Sequence, residues 1–404
     1  MNHTIMDPDL AHEPAHISII VGQLTREIRN LVPTLMGEIQ YAVDNLWGMD
    51  REKYQDTSVY TSTCRVIGRA TNRVFVGLPL CRDSALLDSA MGFSLDVPTS
   101  STLLHFFWPS LRPLIAPFLT LPNRIHTRRF FKLIRPEIRR RLKDYDTIKA
   151  AKKEPNDFLQ RSTEQAKSLE DPYYGKVDTL AGRVLLNNFT SIHTSSFAIT
   201  HAIFDLVSSK QEYIDELREE ITSVLAQHDG QWNKRALAAM PKLDSVMRES
   251  QRLNSFVVTA TNRQVVNPKG VTTPSGTFLP HETMVCGPSY PVFHNGTFYP
   301  EPNTFKPFRF AENRDNLAKE GESYVQRARQ AFTTTSTEFA AFGHGRHACV
   351  GRFFAASMLK LMLGYILLNY DFEMVEKRAE NVWFGSNRIP PMQATVKAKM
   401  RAEK

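Results

Sequence analysis

The sequence predicts a mainly α fold with a small β subdomain. Apolar residues recur at spacings of three and four along most of the 404 residues, as they do on one face of an amphipathic helix. The longest such patterns cover residues 176–208 and 353–368. Short β-branched and aromatic runs, which are typical of strands, occur in the C-terminal half at 256–261, 277–279 and 383–396. We expect a closing β-hairpin over 383–396 and a polar meander over 311–338.

The composition is that of a globular protein, with 42% hydrophobic and 23% charged residues. The cysteines are widely spaced and include no Cys-x-x-Cys pair, which argues against a disulfide framework and a zinc site. This cysteine usage is typical of a reducing compartment. The sequence contains no apolar run of about 18 residues, so no membrane-spanning helix is predicted. The first residues also lack a signal-peptide pattern. The cysteines are Cys64, Cys81, Cys286 and Cys349.

The formal net charge of +8 has its source in residues 124–143, where nine Lys or Arg residues accompany one acidic residue, Glu137. Apolar residues recur every four positions through this segment, at Phe130, Ile134, Ile138 and Leu142. We therefore predict a basic amphipathic helix, with Pro136 as a point of kinking. Its basic face is expected to be solvated, or to contact an anionic membrane surface or an acidic redox partner. Nucleic acid is not expected, because no binding motif accompanies the charge.

The N-terminal half is predicted to be helical. A loop precedes a predicted helix from His16 to Asn30, and helical periodicity continues over 34–80 and 82–170. The segment from Leu103 to Leu121 is unusually apolar and is interrupted by prolines. It is expected either to pack in the core or to contact a membrane surface.

The helix predicted over residues 176–208 is apolar at both ends and polar in the middle. Buried hydroxyls and amides cost free energy unless they find hydrogen-bond partners. A hydroxyl can donate to the carbonyl four residues earlier, which bends the helix and makes room for water. The polar residues are Asn187, Asn188, Thr190, Ser191, His193, Thr194, Ser195 and Ser196.

A helix predicted over residues 242–253 places Glu249 and Arg252 on one face. Such a pair is by itself a weak signal, since exposed ion pairs contribute on the order of a few tenths of a kcal/mol. A second arginine, Arg309, follows further along the chain in the sequence Pro-Phe-Arg-Phe.

The stretch from Phe342 to Gly351, FGHGRHACVG, contains Cys349 just before the helical pattern over 353–368. Its glycines permit a sharp turn that brings backbone N–H groups close to the sulfur. A helix N-terminus and basic neighbours would favour a thiolate, which is a soft, strongly donating metal ligand. The ordinary alternative is a small buried cysteine without chemical function. The basic neighbours are Arg346, His347 and Arg352.

The spacing of Phe342, Gly345, His347, Cys349 and Gly351 resembles the haem-binding loop of the cytochrome P450 monooxygenases. The resemblance implies that Cys349 is the axial thiolate ligand of the iron in haem b, a ligand type that favours O–O cleavage. It also implies that His347 contacts a haem propionate. The resemblance covers about residues 10–400 and implies one haem domain over residues 1–404.

The same resemblance assigns catalytic roles to the helix over 176–208. Thr194 matches the alcohol that delivers protons to dioxygen, and Ser195 follows it. His193 stands where most members of the family have an acid, although fungal secondary-metabolism members also show this departure. A neutral imidazole can relay a proton but cannot act as a carboxylate.

Supporting and binding residues also follow from the resemblance. An ion-pair network that supports the haem loop is implied for Glu249, Arg252 and Arg309. The implied substrate pocket comprises Phe256, Val257, Val258, Thr259 and the turn at Gly385. Further candidates for propionate contacts are His16, Arg26 and Arg263. The chain is expected to begin near the propionate-contacting helix, without the family's N-terminal anchor and part of its N-terminal β lobe.

The resemblance implies a monooxygenase that inserts one oxygen atom from O2 into an apolar small molecule, expected to be a fungal terpenoid, indole alkaloid or polyketide. Electrons are expected from NADPH-cytochrome P450 reductase, with cytochrome b5 as a further candidate. The family's location is the cytosolic face of the endoplasmic reticulum membrane, where this chain is expected to bind peripherally, or else to be cytosolic.

Two alternatives stay open. A truncated chain with an incomplete haem pocket would be inactive. The departure at His193 would also fit a haem-thiolate isomerase or dehydratase that does not activate O2.

Overall fold

Helices dominate the architecture, as the sequence predicts. The structure, a computed structural model, describes residues 10, 15–152, 154–169, 171–385 and 387–402, with the side chains of all of these except Gln23 and Phe384. In its first half the helices are α1 Ala15–Ile19, continued by a π-helix Ile20–Leu24, α2 Thr25–Trp47, α3 Val59–Phe75, a 3-10 helix Leu80–Arg82, α4 Ser84–His105, α5 Arg112–Leu119, α6 Leu121–Lys143, α7 Tyr145–Ala150, α8 Phe158–Ser168 and α9 Pro172–Gly175. In the second half they are α10 Val177–Val207, α11 Gln211–Ala226, α12 Lys234–Ala238, α13 Pro241–Leu253, α14 Ser289–Phe293, α15 Arg309–Lys319, α16 Tyr324–Ala328, a 3-10 helix Gly345–His347 and α17 Arg352–Asn369.

The strands are short and form small antiparallel sheets. They are β1 Gln55–Ser58, β2 Ala260–Gln264, β3 Val271–Thr272, β4 Phe278–Leu279, β5 Met284–Gly287, β6 Tyr370–Phe372, β7 Val382–Phe384, β8 Asn387–Ile389 and β9 Thr395–Met400. One sheet has the order β1-β9-β6, and the pairs β2-β5, β3-β4 and β7-β8 are two-stranded. In the larger sheet Thr57 lies opposite Val396, and Phe372 lies opposite Ala398.

Helix α10 lies at the centre of the core. It packs against α3, α4, α6, α13 and α17, and apolar residues along it, such as Leu180, Ile192 and Ile203, are buried. Among the described residues, α17 is the one helix long and apolar enough to cross a membrane, and 67% of it is buried inside the protein. The helix after Cys349 therefore serves as a core element beside α10.

The first long helix extends past its predicted end at Asn30. Helix α2 runs on to Trp47 with Pro33 inside it. Buried apolar residues continue at helical spacing on both sides of the proline, for example Val32 and Leu35. Packing of this face against α3 and α17 outweighs the hydrogen bond that the proline removes.

Three local predictions in the C-terminal half are wrong. Residues 256–261 do not form one strand, because only an isolated bridge joins Val257 to Asn387 and β2 begins at Ala260. The segment 311–338, expected to be a polar meander, contains most of α15 and all of α16. The predicted hairpin over 383–396 is shorter, since β9 pairs with β1 and β6 instead. Each outcome depends on partners distant in sequence, which periodicity does not report.

A buried ion-pair network joins α13 to the segment around α15. Arg252 Nε and Nη2 each lie 2.8 Å from a carboxylate oxygen of Glu249, and Arg309 Nε lies 3.1 Å from Glu249 Oε1. Glu249 and Arg252 are fully buried, and Arg309 is nearly so. The two guanidinium groups also donate to backbone carbonyls, at Phe293, Pro300 and Pro302. The buried charges thus have the partners that make their burial tolerable.

Replacing one cation of this network tests how much the network contributes to the stability of the fold. Arg252→Ala leaves Glu249 with one ionic partner and a cavity beside it, so we expect a loss of about 3–5 kcal/mol in the free energy of unfolding. Urea unfolding followed by far-ultraviolet circular dichroism measures the change.

The matched control is Arg314→Ala, since Arg314 is exposed on α15 and its loss is expected to cost less than about 0.5 kcal/mol. An Arg252→Ala protein with the unfolding midpoint of the control would contradict the assignment.

Candidate functional site

The loop that carries Cys349 is closed on itself by the backbone. The N–H of Cys349 donates to the carbonyl of Phe342 at 2.7 Å. Gly343 and Gly345 have φ angles of 69° and 70°, values in the left-handed region that glycine adopts without strain. The loop therefore turns back and presents the cysteine beside its own beginning.

Cys349 is exposed. The backbone N–H groups of Gly351 and Arg352 are near enough to its sulfur to lower the pKa of the thiol, and a Cβ added at Gly351 would lie 4.0 Å from the sulfur. The surrounding protein raises the pKa of the thiol, and these N–H groups and the Arg352 charge lower it by less. Burial therefore opposes the thiolate in the protein alone, whereas the backbone at the start of α17 and the Arg352 charge favour it.

The turn over residues 331–334 supports this loop. Asp244 of α13 accepts from the N–H of Phe332 at 2.7 Å, and Arg248 donates to the carbonyls of residues 331 and 334. Arg352 donates to the carbonyl of Thr333 at 3.1 Å. The ring of Phe332 contacts that of Phe342, with centroids 5.0 Å apart. Helix α13 and the start of α17 thus hold the turn from two sides.

Thr194 occupies an open position in the middle of α10. It is exposed, whereas the neighbouring Ser195 is buried. The Thr194 hydroxyl donates to the carbonyl of Thr190 at 2.7 Å, and Ser191 makes the same kind of bond to Asn187. A hydroxyl that donates its hydrogen to a carbonyl of the preceding turn keeps its lone pairs. Thr194 Oγ1 can therefore still accept a hydrogen bond from a group outside the helix.

His193 links α10 to two other helices. Its Nε2 lies 3.1 Å from the carbonyl of Met91 in α4, and its Nδ1 lies 2.7 Å from the hydroxyl of Tyr60 in α3. A carbonyl only accepts, so Nε2 carries the proton and Nδ1 accepts from Tyr60. Burial lowers the pKa of the imidazole, and the Met91 carbonyl raises it by less. His193 is therefore a neutral side chain whose two ring nitrogens each hydrogen-bond to a neighbouring helix.

The residues expected to line a substrate pocket come together from two parts of the chain. Phe256, Val257, Val258 and Thr259 are all partly or largely exposed, and Val257 bridges to Asn387 in the β7–β8 hairpin. Gly385, in the turn of that hairpin, is exposed with a φ angle of 60°. The ring of Phe256 lies 5.2 Å from that of Phe197 of α10, between centroids. The segment and the hairpin therefore form one surface next to α10.

Among the described residues, no hydrogen bond or ion pair joins His16, Arg26 or Arg263 to the cysteine loop. His16 lies near Arg183 of α10, and burial together with that charge lowers the pKa of His16. Arg183 precedes Thr194 by eleven residues, or about 16 Å along the helix. Arg26 is exposed on α2, and Arg263 is exposed and donates to the carbonyl of its neighbour Asn262. His347, within the loop, is exposed and near the sulfur in sequence.

The donor set at Cys349 suits haem. Among the residues that the structure describes, no three His, Cys, Asp or Glu side chains cluster so as to hold a metal ion. The exposed Cys349 would supply the protein's ligand to a metal whose other ligands come from a porphyrin. The N–H groups of Gly351 and Arg352 would stabilise negative charge on a sulfur bound in this way.

Sequence reasoning missed most of the residues that hold these groups in place. Asp244 and Arg248 share a face of α13, and their spacing of four was an available signal. Tyr60 lies 133 positions from His193, and no local pattern connects the two. The same is true of Arg378 and Arg388, which reach α10 and α13 from the hairpin region.

Comparison with known proteins identifies one family. The family model for cytochrome P450 matches residues 18–394. Cytochrome P450 monooxygenase 151 of Postia placenta is 36% identical over 400 residues, which cover 98% of this chain and 77% of that protein. Cytochrome P450 monooxygenase gloP of Glarea lozoyensis is 31% identical over 96% of this chain and 73% of its own length. Cytochrome P450 monooxygenase olcJ of Penicillium canescens is 33% identical over 88% of this chain and 65% of its own length.

The mainly α architecture with small antiparallel sheets is the one this family implies, and the predicted fold class is confirmed. The family uses haem b and O2 and takes electrons from a reductase. By this match over most of its length, the chain belongs to the cytochrome P450 family.

Proposed function

We propose that this protein is a haem-thiolate monooxygenase that inserts one oxygen atom from O2 into an apolar small molecule, a fungal secondary metabolite. The observation that carries the proposal is the exposed Cys349, which lies in a loop closed by its bond to the Phe342 carbonyl and beside the N–H groups of Gly351 and Arg352. NADPH-cytochrome P450 reductase is the proposed electron donor, with cytochrome b5 as a second candidate. The protein acts as one haem domain over residues 1–404.

Haem, when bound, supplies the activation of O2 with electrons from the reductase. The part of this chain is to hold the sulfur of Cys349 in place, through the Phe342 carbonyl on one side and the N–H groups at the start of α17 on the other. The loop is supported in turn by the turn over 331–334 and by the network of Glu249, Arg252 and Arg309.

Thr194 is the proposed proton-handling residue. Thr194 is exposed in the polar middle of α10, and its hydroxyl retains acceptor capacity. Ser195 is buried, so its proposed part is to pack α10 rather than to reach the reacting atoms. His193 is proposed to hold α10 in place as a neutral side chain, since both of its nitrogens bond to neighbouring helices. Protons then reach the site through water at Thr194.

The substrate is proposed to be apolar because Phe256, Val257 and Val258 offer side chains without hydrogen-bonding groups. Thr259 supplies one hydroxyl among them, enough to orient a molecule with one polar group. Such a surface favours terpenoid, indole or polyketide skeletons over charged metabolites.

Contact with a membrane surface is proposed for the region of α5 and α6. Phe106, Trp108 and Phe118 are each 78–80% exposed. The adjoining face of α6 exposes Arg124, Arg128, Arg129 and Lys132. Aromatic side chains beside cations are the combination that lies in the interface of an anionic bilayer.

Cys349→Ala is expected to abolish oxygenation together with the haem-thiolate absorption band of the reduced, carbon monoxide-bound protein, because only the sulfur can supply the axial thiolate. The matched control is Cys286→Ala, since Cys286 is also exposed and lies in β5. Turnover with NADPH and O2 that persists in Cys349→Ala would refute the axial role. Turnover in the wild-type protein would also separate a monooxygenase from an isomerase or dehydratase.

Thr194→Ala is expected to uncouple the reaction, so that NADPH is consumed and hydrogen peroxide is released in place of product. A loss of about 10²-fold or more in coupled turnover is typical when a proton-transferring group is removed. The amounts of peroxide and of product formed per NADPH consumed show whether the variant is uncoupled.

Ser357→Ala removes a hydroxyl that also bonds back to a helix carbonyl and serves as the control. Tightly coupled turnover in Thr194→Ala would show that protons travel by another route.

Replacing Trp108 and Phe118 together with Ser is expected to weaken binding to anionic lipid vesicles by about tenfold or more, because two large apolar side chains leave the interface. Vesicle co-sedimentation measures the partition. Tyr324→Ser is the control, since Tyr324 is 75% exposed on α16. Equal losses in both proteins would contradict the proposed surface.

A further inference from the structure

We infer that Arg388 is a positioning residue that sets the shape of the substrate pocket. The inference rests on the proposed function, since it concerns the surface formed by residues 256–259 and the β7–β8 hairpin, here called the substrate wall. Residues 256–259 form no regular strand, so their position depends on individual hydrogen bonds to neighbouring elements.

Arg388 makes two of those bonds. Its backbone N–H donates to the carbonyl of Phe256 at 2.9 Å, and its Nη1 donates to the carbonyl of Leu253 at 2.6 Å. Leu253 is the last residue of α13, where carbonyls lack partners within the helix and a cation is favoured by the dipole. The guanidinium group therefore fastens the hairpin to the end of α13, while the backbone at the same position holds the first residue of the wall.

Neighbouring contacts extend the attachment along the segment. Val257 forms a bridge with Asn387, next to Arg388. The N–H of Tyr290 in α14 donates to the carbonyl of Val258 at 3.0 Å, and the Arg388 guanidinium lies 5.6 Å from the centre of the Tyr290 ring. Backbone bonds thus join the segment to the hairpin and to α14, and the Arg388 side chain lies beside them.

A second arginine ties the hairpin region to the helix of Thr194. Arg378 Nη2 lies 2.9 Å from Nδ1 of His201, and its Nε is in contact with a carboxylate oxygen of Asp205. His201 and Asp205 are buried and follow Thr194 by seven and eleven residues, spacings that place all three on one face of α10. Asp205 also accepts from Asn254 at 2.8 Å, just before the wall.

These contacts make the substrate wall one unit with a fixed distance from α10. Arg388 holds the wall together, and Arg378 sets where it stands relative to Thr194. The pocket's width, and with it the size of molecule accepted, then depends on a side chain outside the segment expected to touch substrate. A lysine would keep the charge but would lose the planar guanidinium group that donates to the Leu253 carbonyl and lies near the Tyr290 ring.

Hydrogen–deuterium exchange tests this directly in Arg388→Lys and Arg388→Gln. Loss of a charged hydrogen bond is expected to raise exchange about tenfold in peptides that cover 256–259 and 385–389, with α10 and α17 unchanged. Arg314→Lys, an exposed arginine of α15, is expected to behave as wild type. Exchange that stays unchanged at 256–259, or that rises equally throughout α10 and α17, would overturn the inference.

A second measurement reports on selectivity. Dissociation constants of imidazole and 4-phenylimidazole for the haem protein are measured by difference absorption, and Arg388→Lys is expected to change their ratio by about threefold or more. A merely destabilising substitution would leave the ratio unchanged, and that result would overturn the inference. Failure of the wild-type protein to bind haem would instead contradict the proposed function, while the exchange data would still decide the role of Arg388.

Discussion

The pairing of Glu249 with Arg252 and Arg309 is the interaction on which the site's support depends. One buried carboxylate neutralises only one of two buried guanidinium charges, and backbone carbonyls accept the remaining N–H groups. This arrangement fixes α13 against the segment before α15. The same helix supplies Asp244 and Arg248 to the turn over 331–334. One helix, α13, thus carries both the buried ion pairs and the contacts to the turn that supports the cysteine loop.

The polar middle of α10 contains buried side chains that hydrogen-bond within the protein and an exposed hydroxyl residue, Thr194, of interest for catalysis. Asn188 pairs with Asn72 at 2.6 Å, and Ser196 donates back to the carbonyl of Ile192. His193 bonds to two other helices. These groups are satisfied within the protein, as buried polar groups must be. Thr194 differs from them, since it is exposed, and this exposure supports the proposal that it takes part in proton transfer.

In the substrate wall, the residues proposed to contact substrate differ from the residues that hold them in position. Residues 256–259 lack the regular hydrogen bonding of a strand, which leaves their side chains free to face an open space. Arg388 and Arg378 supply the missing constraint from the hairpin side. Loops that bind ligands need such external support, because their own backbone does not determine their position.

The sequence by itself determined the helical character of the chain, the cysteine loop before α17 and the pair Glu249 and Arg252, because these depend on spacing within a few turns of chain. Only the tertiary structure decided the tautomer of His193, the extension of α2 past Pro33 and the separation of His16 from the loop. It also decided the raised pKa of the Cys349 thiol and the joining of residues 256–259 to the hairpin. These depend on partners far apart in sequence and on burial, which local periodicity does not encode.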